Sequence, residues 1–158
     1  MFKKLLNTRS LCLSALIAAL YAALTLLLAP ISYGAIQCRV SEAMTVLPIL
    51  LPQAIPGLFV GCLIANLYTG VITDVIFGSL ATLIAAIGTF LLRKKPRLAA
   101  SCPVLANAVI VGLVLSLTNG WPVALTMLEV GAGEVAAVAL GMLVLLPALK
   151  RIDLTKYF

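Results

Sequence analysis

The sequence predicts an all-α fold: one polytopic membrane domain, residues 1–158, built as a bundle of six transmembrane helices with both termini on the cytoplasmic side. Three observations predict it. Hydrophobic residues make up 63% of the 158-residue chain and charged residues only 10%, against about 45–50% and about 25% in ordinary globular domains. Only lipid can solvate that much apolar surface. The basic residues gather in three clusters: Lys3, Lys4 and Arg9; Arg93, Lys94, Lys95 and Arg97; Lys150, Arg151 and Lys156. Clusters separated by long apolar stretches are the mark of cytoplasmic loops under the positive-inside rule. Finally, six helices of about 20 residues consume nearly the whole chain and leave no room for a soluble domain.

The first span runs from Leu11 to Ala29 and is closed by Pro30. Its N-terminal lysines imitate a signal peptide, but the apolar run to Leu28 is 18 residues, longer than the usual 7–15 or so; we read it as a retained helix. Ala43 to Thr73 is uncharged for 31 residues. If all three basic clusters are cytoplasmic, an even number of spans separates each pair, so this run must divide into two short helices. Pro52 and Pro56 supply the break, because proline lacks the backbone N–H and clashes with the preceding turn. Starting the second span near Arg39 gives it more length. Val75 to Leu92 is the fourth span, ended by the second basic cluster. Leu98 to Leu117 is the fifth, closed by Thr118, Asn119 and Gly120. Val123 to Leu149 is the sixth, interrupted only by Glu129 and Glu134.

This topology sets residues 29–42, 69–74 and 118–122 outside. Arg39 and Glu42 then fall in the first outer loop or at the start of the second span. Asn66 and Asp74 flank the next outer loop, and Asn107 and Glu134 lie near the midplane of the fifth and sixth spans. Four of the five acids occupy the outer half, Asp153 being the exception. A charge in a membrane helix costs at least about 2.5–3.5 kcal/mol, so these residues point to one outward-facing polar pocket. Simpler roles compete with that reading. Arg39 and Glu42, spaced i, i+3, suit an ion pair near a helix start. Asp74 suits a helix N-cap, and Asn107 an interhelical hydrogen bond. Glu129, near an interface, suits solvation. Glu134, between small residues and far from any base in the sequence, has no such simple alternative.

Several chemistries are excluded. The chain has no histidine, so His triads, His metal sites and His general bases are out. Its four cysteines form no CxxC pair and read as packing residues; no metal site and no cofactor is expected. No GxxxxGK[ST] stretch is present, hence no ATPase site. The net charge of +6 resides in the loop clusters and does not imply nucleic acid. No repeat relates the two halves, which counts against a self-contained alternating-access carrier. On the first span Ala15, Ala19 and Ala23 recur every fourth residue, with Ala18 and Ala22 in parallel. Such stripes let helices approach closely in lipid, either inside the bundle or as a docking face. Gly57 and Gly61 form a further pair, read as internal.

The segments YGAIQCRVSEAMTVLP (33–48), PGLFVGCLIANLYTG (56–70) and DVIFGSLATLIAA (74–86) resemble the queuosine-precursor transporter family called QueT. CPVLANAVIVG (102–112) and VGAGEVAAVALG (130–141) fit it too, so the likeness covers nearly the whole chain. The RxSEA element is its most specific part. The resemblance implies a six-helix substrate-binding S component of an energy-coupling factor (ECF) transporter, with no enzymatic activity of its own. Its partners would be a membrane scaffold subunit and two cytoplasmic ATPases that use the ATP. Ala15, Ala19 and Ala23 match the family's docking stripe. The implied ligand is a 7-deazaguanine precursor of queuosine in its aminomethyl form, bound by Arg39, Glu42, Asn66, Asp74, Asn107 and Glu134. Glu134 would take the guanine edge, Glu42 or Asp74 the ammonium, with Arg39 holding Glu42; Tyr33, Tyr68 and Trp121 would stack on or cover the ring. Competing readings are an S component for another vitamin or purine-like nutrient, and a stand-alone proton-coupled carrier using Glu134.

Overall fold

The computed structural model describes residues 7–32 and 39–151. Lys3, Lys4, Tyr33, Cys38, Asp153 and Lys156, on which parts of the sequence reading fell, lie outside the described residues. All regular structure among the described residues is helical. Four helices are long and apolar enough to cross a membrane: α1 (Thr8–Leu27), α3 (Asp74–Leu91), α4 (Pro96–Asn119) and α5 (Val123–Arg151). Between α1 and α3 lie two shorter apolar helices, a ten-residue 3₁₀ helix (Val40–Ile49) and α2 (Ala54–Thr69). A single turn, Ala29–Ser32, follows α1.

The divided run is thus real, and the chain bends at residues 50–53. Its first half is not the α-helix expected. Runs of 3₁₀ beyond 3–4 residues are uncommon, and the gain here is length. Ten residues rise about 20 Å in 3₁₀ form against about 15 Å in α form. Hydrogen bonds to α1 anchor the segment near its start and just beyond its end. Near the start, Ser41 meets Thr25 at 2.7 Å; beyond the end, Ser14 Oγ donates to the Gln53 carbonyl at 2.8 Å. Residues 14 and 25 of an α-helix are separated by about 17 Å, so the 3₁₀ helix runs antiparallel to α1 over most of its length. The chain then turns back, and α2 runs parallel to α1. Gly57 abuts the Ser14 carbonyl and Ile17, and Gly61 abuts Ala18 and Tyr21.

The 3₁₀ helix is the axis of the bundle. Ser41 to Ile49 are all buried, and every long helix packs on it. Met44 and Leu47 join Ile17, Tyr21 and Leu58 in one apolar core; Val46 and Ile49 join Ala99, Val138 and Leu146 in another. α5 comes closest at a π-helical turn, Gly141–Leu145. A Cβ on Gly141 would overlap the Ala43 carbonyl oxygen, so glycine is what permits that approach. A second π turn, Asp74–Gly78, opens α3. α2 and α4 end at Gly70 and Gly120, both at φ +70°, where other residues are strained.

Candidate functional site

The 3₁₀ helix supplies the first two polar side chains. Its winding eclipses residues three apart, so Arg39 at the N-cap and Glu42 share a face, and the Glu42 N–H donates to the Arg39 carbonyl at 2.9 Å. On α4, Asn107 and Val111 are one turn apart; on α5, Val130 and Glu134 are likewise one turn apart, and i, i+4 spacing puts each pair on one face. These six residues line a single small, partly open cavity. Its volume is about 20 Å³, room for about one water and far below the roughly 300 Å³ at the lower end of ligand pockets. Anything larger requires these elements to part.

Both carboxylates are buried, with Glu42 2% and Glu134 6% exposed. Tyr21, wholly buried on α1, donates its phenolic hydroxyl to Glu42 Oε1. One turn on, the Thr25 hydroxyl donates to the Tyr21 carbonyl at 2.8 Å. That donation uses its one proton, so Ser41 supplies the hydrogen in the Thr25–Ser41 contact. The Thr45 hydroxyl donates to the Glu42 carbonyl at 2.5 Å. Asn107 lies within side-chain hydrogen-bonding reach of both Glu42 and Glu134, and the Arg39 guanidinium acts electrostatically on both. Even so, Glu42 Oε2 and Glu134 Oε1 are buried without a hydrogen-bond partner. Open acceptors out of water cost free energy. The two buried carboxyl groups share one guanidinium, so a ligand that brings a second positive charge would let both be ionised there. The arrangement therefore suits a ligand that brings N–H donors and positive charge.

Asn66 and Asp74 do not line this cavity. Asn66 is wholly buried, and its Nδ2 donates to the Asp74 carbonyl at 2.9 Å and to Cys62 Sγ at 3.3 Å. A Cβ on Gly78 would lie 2.9 Å from that nitrogen. The amide thus bridges α2 to the π turn of α3, where the backbone hydrogen-bond register slips. Asp74 is the first residue of that turn, with Thr73 rather than Asp74 at its N-cap, and it feels the Arg39 charge from outside the cavity lining. Glu129 is partly exposed and also outside it. Tyr68 and Trp121 are 72% and 47% exposed, and neither lines the cavity. Among the described residues no group of three or more acids or cysteines comes together as a metal site.

On α1, Ala18 and Ala22 are buried, whereas Ala15, Ala19 and Ala23 are exposed on another face. The residues that sequence reasoning missed are Tyr21 and Thr25. Tyr21 stands inside the same small-residue stripe, and the usable signal was its hydroxyl: a tyrosine at mid-span must find a partner for its O–H.

The family described as QueT transporter matches residues 11–151. The queuosine precursor transporter QueT of Lactococcus lactis subsp. cremoris (strain MG1363) is 42% identical over 72 residues, 44% of this chain. The alignment takes in 43% of that relative, so the chain matches less than half of its length. No solved structure matches the chain.

Proposed function

This chain belongs to the QueT transporter family, and from that premise we propose that it is the substrate-binding S component of an ECF-type importer for a queuosine precursor. It is a multi-pass membrane protein of a transporter family rather than an enzyme. The proposed topology has six spans, N-in and C-in, with the 3₁₀ helix and α2 as the second and third. The antiparallel course of the 3₁₀ helix along α1 and the parallel return of α2 support it. The scaffold subunit would dock on the exposed Ala15, Ala19 and Ala23 face, and two cytoplasmic ATPases would supply the energy.

The observation that carries the ligand class is the pair of buried carboxylates with open oxygens around one cavity. A 7-deazaguanine offers adjacent ring N–H and amino donors that one carboxylate accepts as a pair; we assign Glu134 to that edge. The aminomethyl ammonium would supply the second positive charge at Glu42, held by Tyr21 and Arg39, and Asn107 would serve the remaining ring atoms. Glu42 is preferred to Asp74 because it lines the cavity. Asn66 and Asp74 enter the proposed site as its flank, shaping the α2–α3 side.

Calorimetric titration of aminomethyl-deazaguanine into the purified protein, with guanine and riboflavin as controls, tests this. Selective binding is expected, weakened about ten- to a hundredfold by Glu134→Gln, the loss of a charged hydrogen bond. Unchanged affinity in that variant would remove Glu134 from the site. No binding by folded protein would move the ligand to another purine-like or vitamin nutrient. A second reading, a proton-coupled carrier, draws on the two acids sharing Asn107. Uptake into liposomes by this chain alone, without ATPases, would decide for it.

A further inference from the structure

A second cavity lies at the end of the bundle where the basic residues collect. Lys95 and Arg97, at the start of α4, and Lys150, near the end of α5, line a recess of about 650 Å³. Its remaining surface includes Leu98, Met142, Leu146 and Pro147, and no acid lines it. The local helix geometry adds to the positive potential. α4 begins here with Lys95 as N-cap and Pro96 next, with no side-chain cap and no acid in its first turn. Helix N-termini present uncapped N–H groups and the positive end of the dipole, and acids are the residues that normally offset both. Here three cations are added instead, so an anion is the missing complement.

The apolar surface selects the kind of anion. A free phosphate would gain nothing from Leu98, Met142, Leu146 and Pro147. A phospholipid would place its phosphodiester among the cations and lay an acyl chain along the exposed Leu98 and Pro147 and the partly exposed Met142. Basic recesses between transmembrane helices at the bilayer surface are suited to this. We propose that this recess is a binding site for an anionic phospholipid, held by Lys95, Arg97, Lys150 and the N-terminus of α4. Arg93 and Lys94, in the same basic segment, do not line it; the Arg93 guanidinium stacks on the Phe90 ring, 4.1 Å from its centroid. They provide the control that separates a built site from diffuse charge.

The test is native mass spectrometry of the full chain in detergent, offered equal phosphatidylglycerol and phosphatidylcholine. Wild type should retain phosphatidylglycerol selectively. Lys150→Gln should lower that retention about fivefold and Lys95→Gln/Arg97→Gln by about that factor for each charge removed. Arg93→Gln/Lys94→Gln, which removes as many charges from the same segment, should retain it. Equal retention of both lipids, or equal loss in the control pair, would overturn the proposal. So would unchanged lipid retention in the Lys95→Gln/Arg97→Gln protein together with failed assembly on its protein partners, which would make the recess a docking site for an acidic protein segment.

Discussion

Tyr21 shows what one hydroxyl does in a bundle that excludes water. It donates to Glu42 Oε1, while Glu42 Oε2 has no partner. Removing the hydroxyl takes the tyrosine donor from Oε1 while Oε2 is already without a partner, and a hydrogen bond to a charged group is worth about 1.5–3 kcal/mol. Tyr21→Phe should therefore lower the thermal midpoint and weaken ligand binding about tenfold, read by thermal shift and calorimetry. Tyr68→Phe, on an exposed side chain, should change neither. Sequence alone reveals that a polar residue in an apolar span is costly, and so it singled out Arg39, Glu42, Asn107 and Glu134, which the fold gathers round one cavity. It does not reveal how the cost is met. Asn66 looked equivalent to Asn107, yet its amide spends its donors on the Asp74 carbonyl and the Cys62 sulfur. Tyr21, inside an apolar span, carries no charge or amide to single it out.

At the scale of elements, the position of the site depends on how closely α5 approaches the 3₁₀ helix. Gly141 sets that approach and stands seven residues, about two turns, beyond Glu134. Any Cβ there meets the Ala43 carbonyl, and neither backbone can yield without parting the two elements that carry Glu42 and Glu134. Gly141→Ala should destabilise the protein by about 1–3 kcal/mol, as overpacking does, and weaken ligand binding along with it. Gly131→Ala, whose Cβ would meet only the Ala108 methyl at an ordinary 3.4 Å, is the control and should be tolerated. Thermal shift and calorimetry on the two variants distinguish a local clash from a general intolerance of side chains on α5. The break near Pro52 was legible from charge parity and proline chemistry. The 3₁₀ winding was not, because its residues carry no pattern separate from an apolar α-helix.

For the whole molecule, composition and three basic clusters were enough to predict a membrane bundle, because the cost of burying charge in lipid acts on every span at once. The path of the short segments needed the structure. If the 3₁₀ helix and α2 both cross, Arg9 and Lys94 share a side and Asn119 takes the other. Single cysteines at these three positions, in a background with the four native cysteines replaced by alanine, can be probed in intact cells with a membrane-impermeant maleimide. Asn119→Cys should label directly; Arg9→Cys and Lys94→Cys should label only after the membrane is opened. Labelling of Lys94→Cys but not Arg9→Cys in intact cells would mean that an odd number of segments crosses before the second basic cluster. One of the two short helices would then lie in the bilayer without crossing it, and the open carboxylate oxygens of Glu42 and Glu134 could no longer be assigned to an outward-facing pocket. The same result would put Lys95 and Arg97 on the outer surface, against the positive-inside rule. Sidedness thus bears on both cavities at once: it decides whether the acidic one faces incoming ligand and whether the basic one faces the cytoplasmic leaflet.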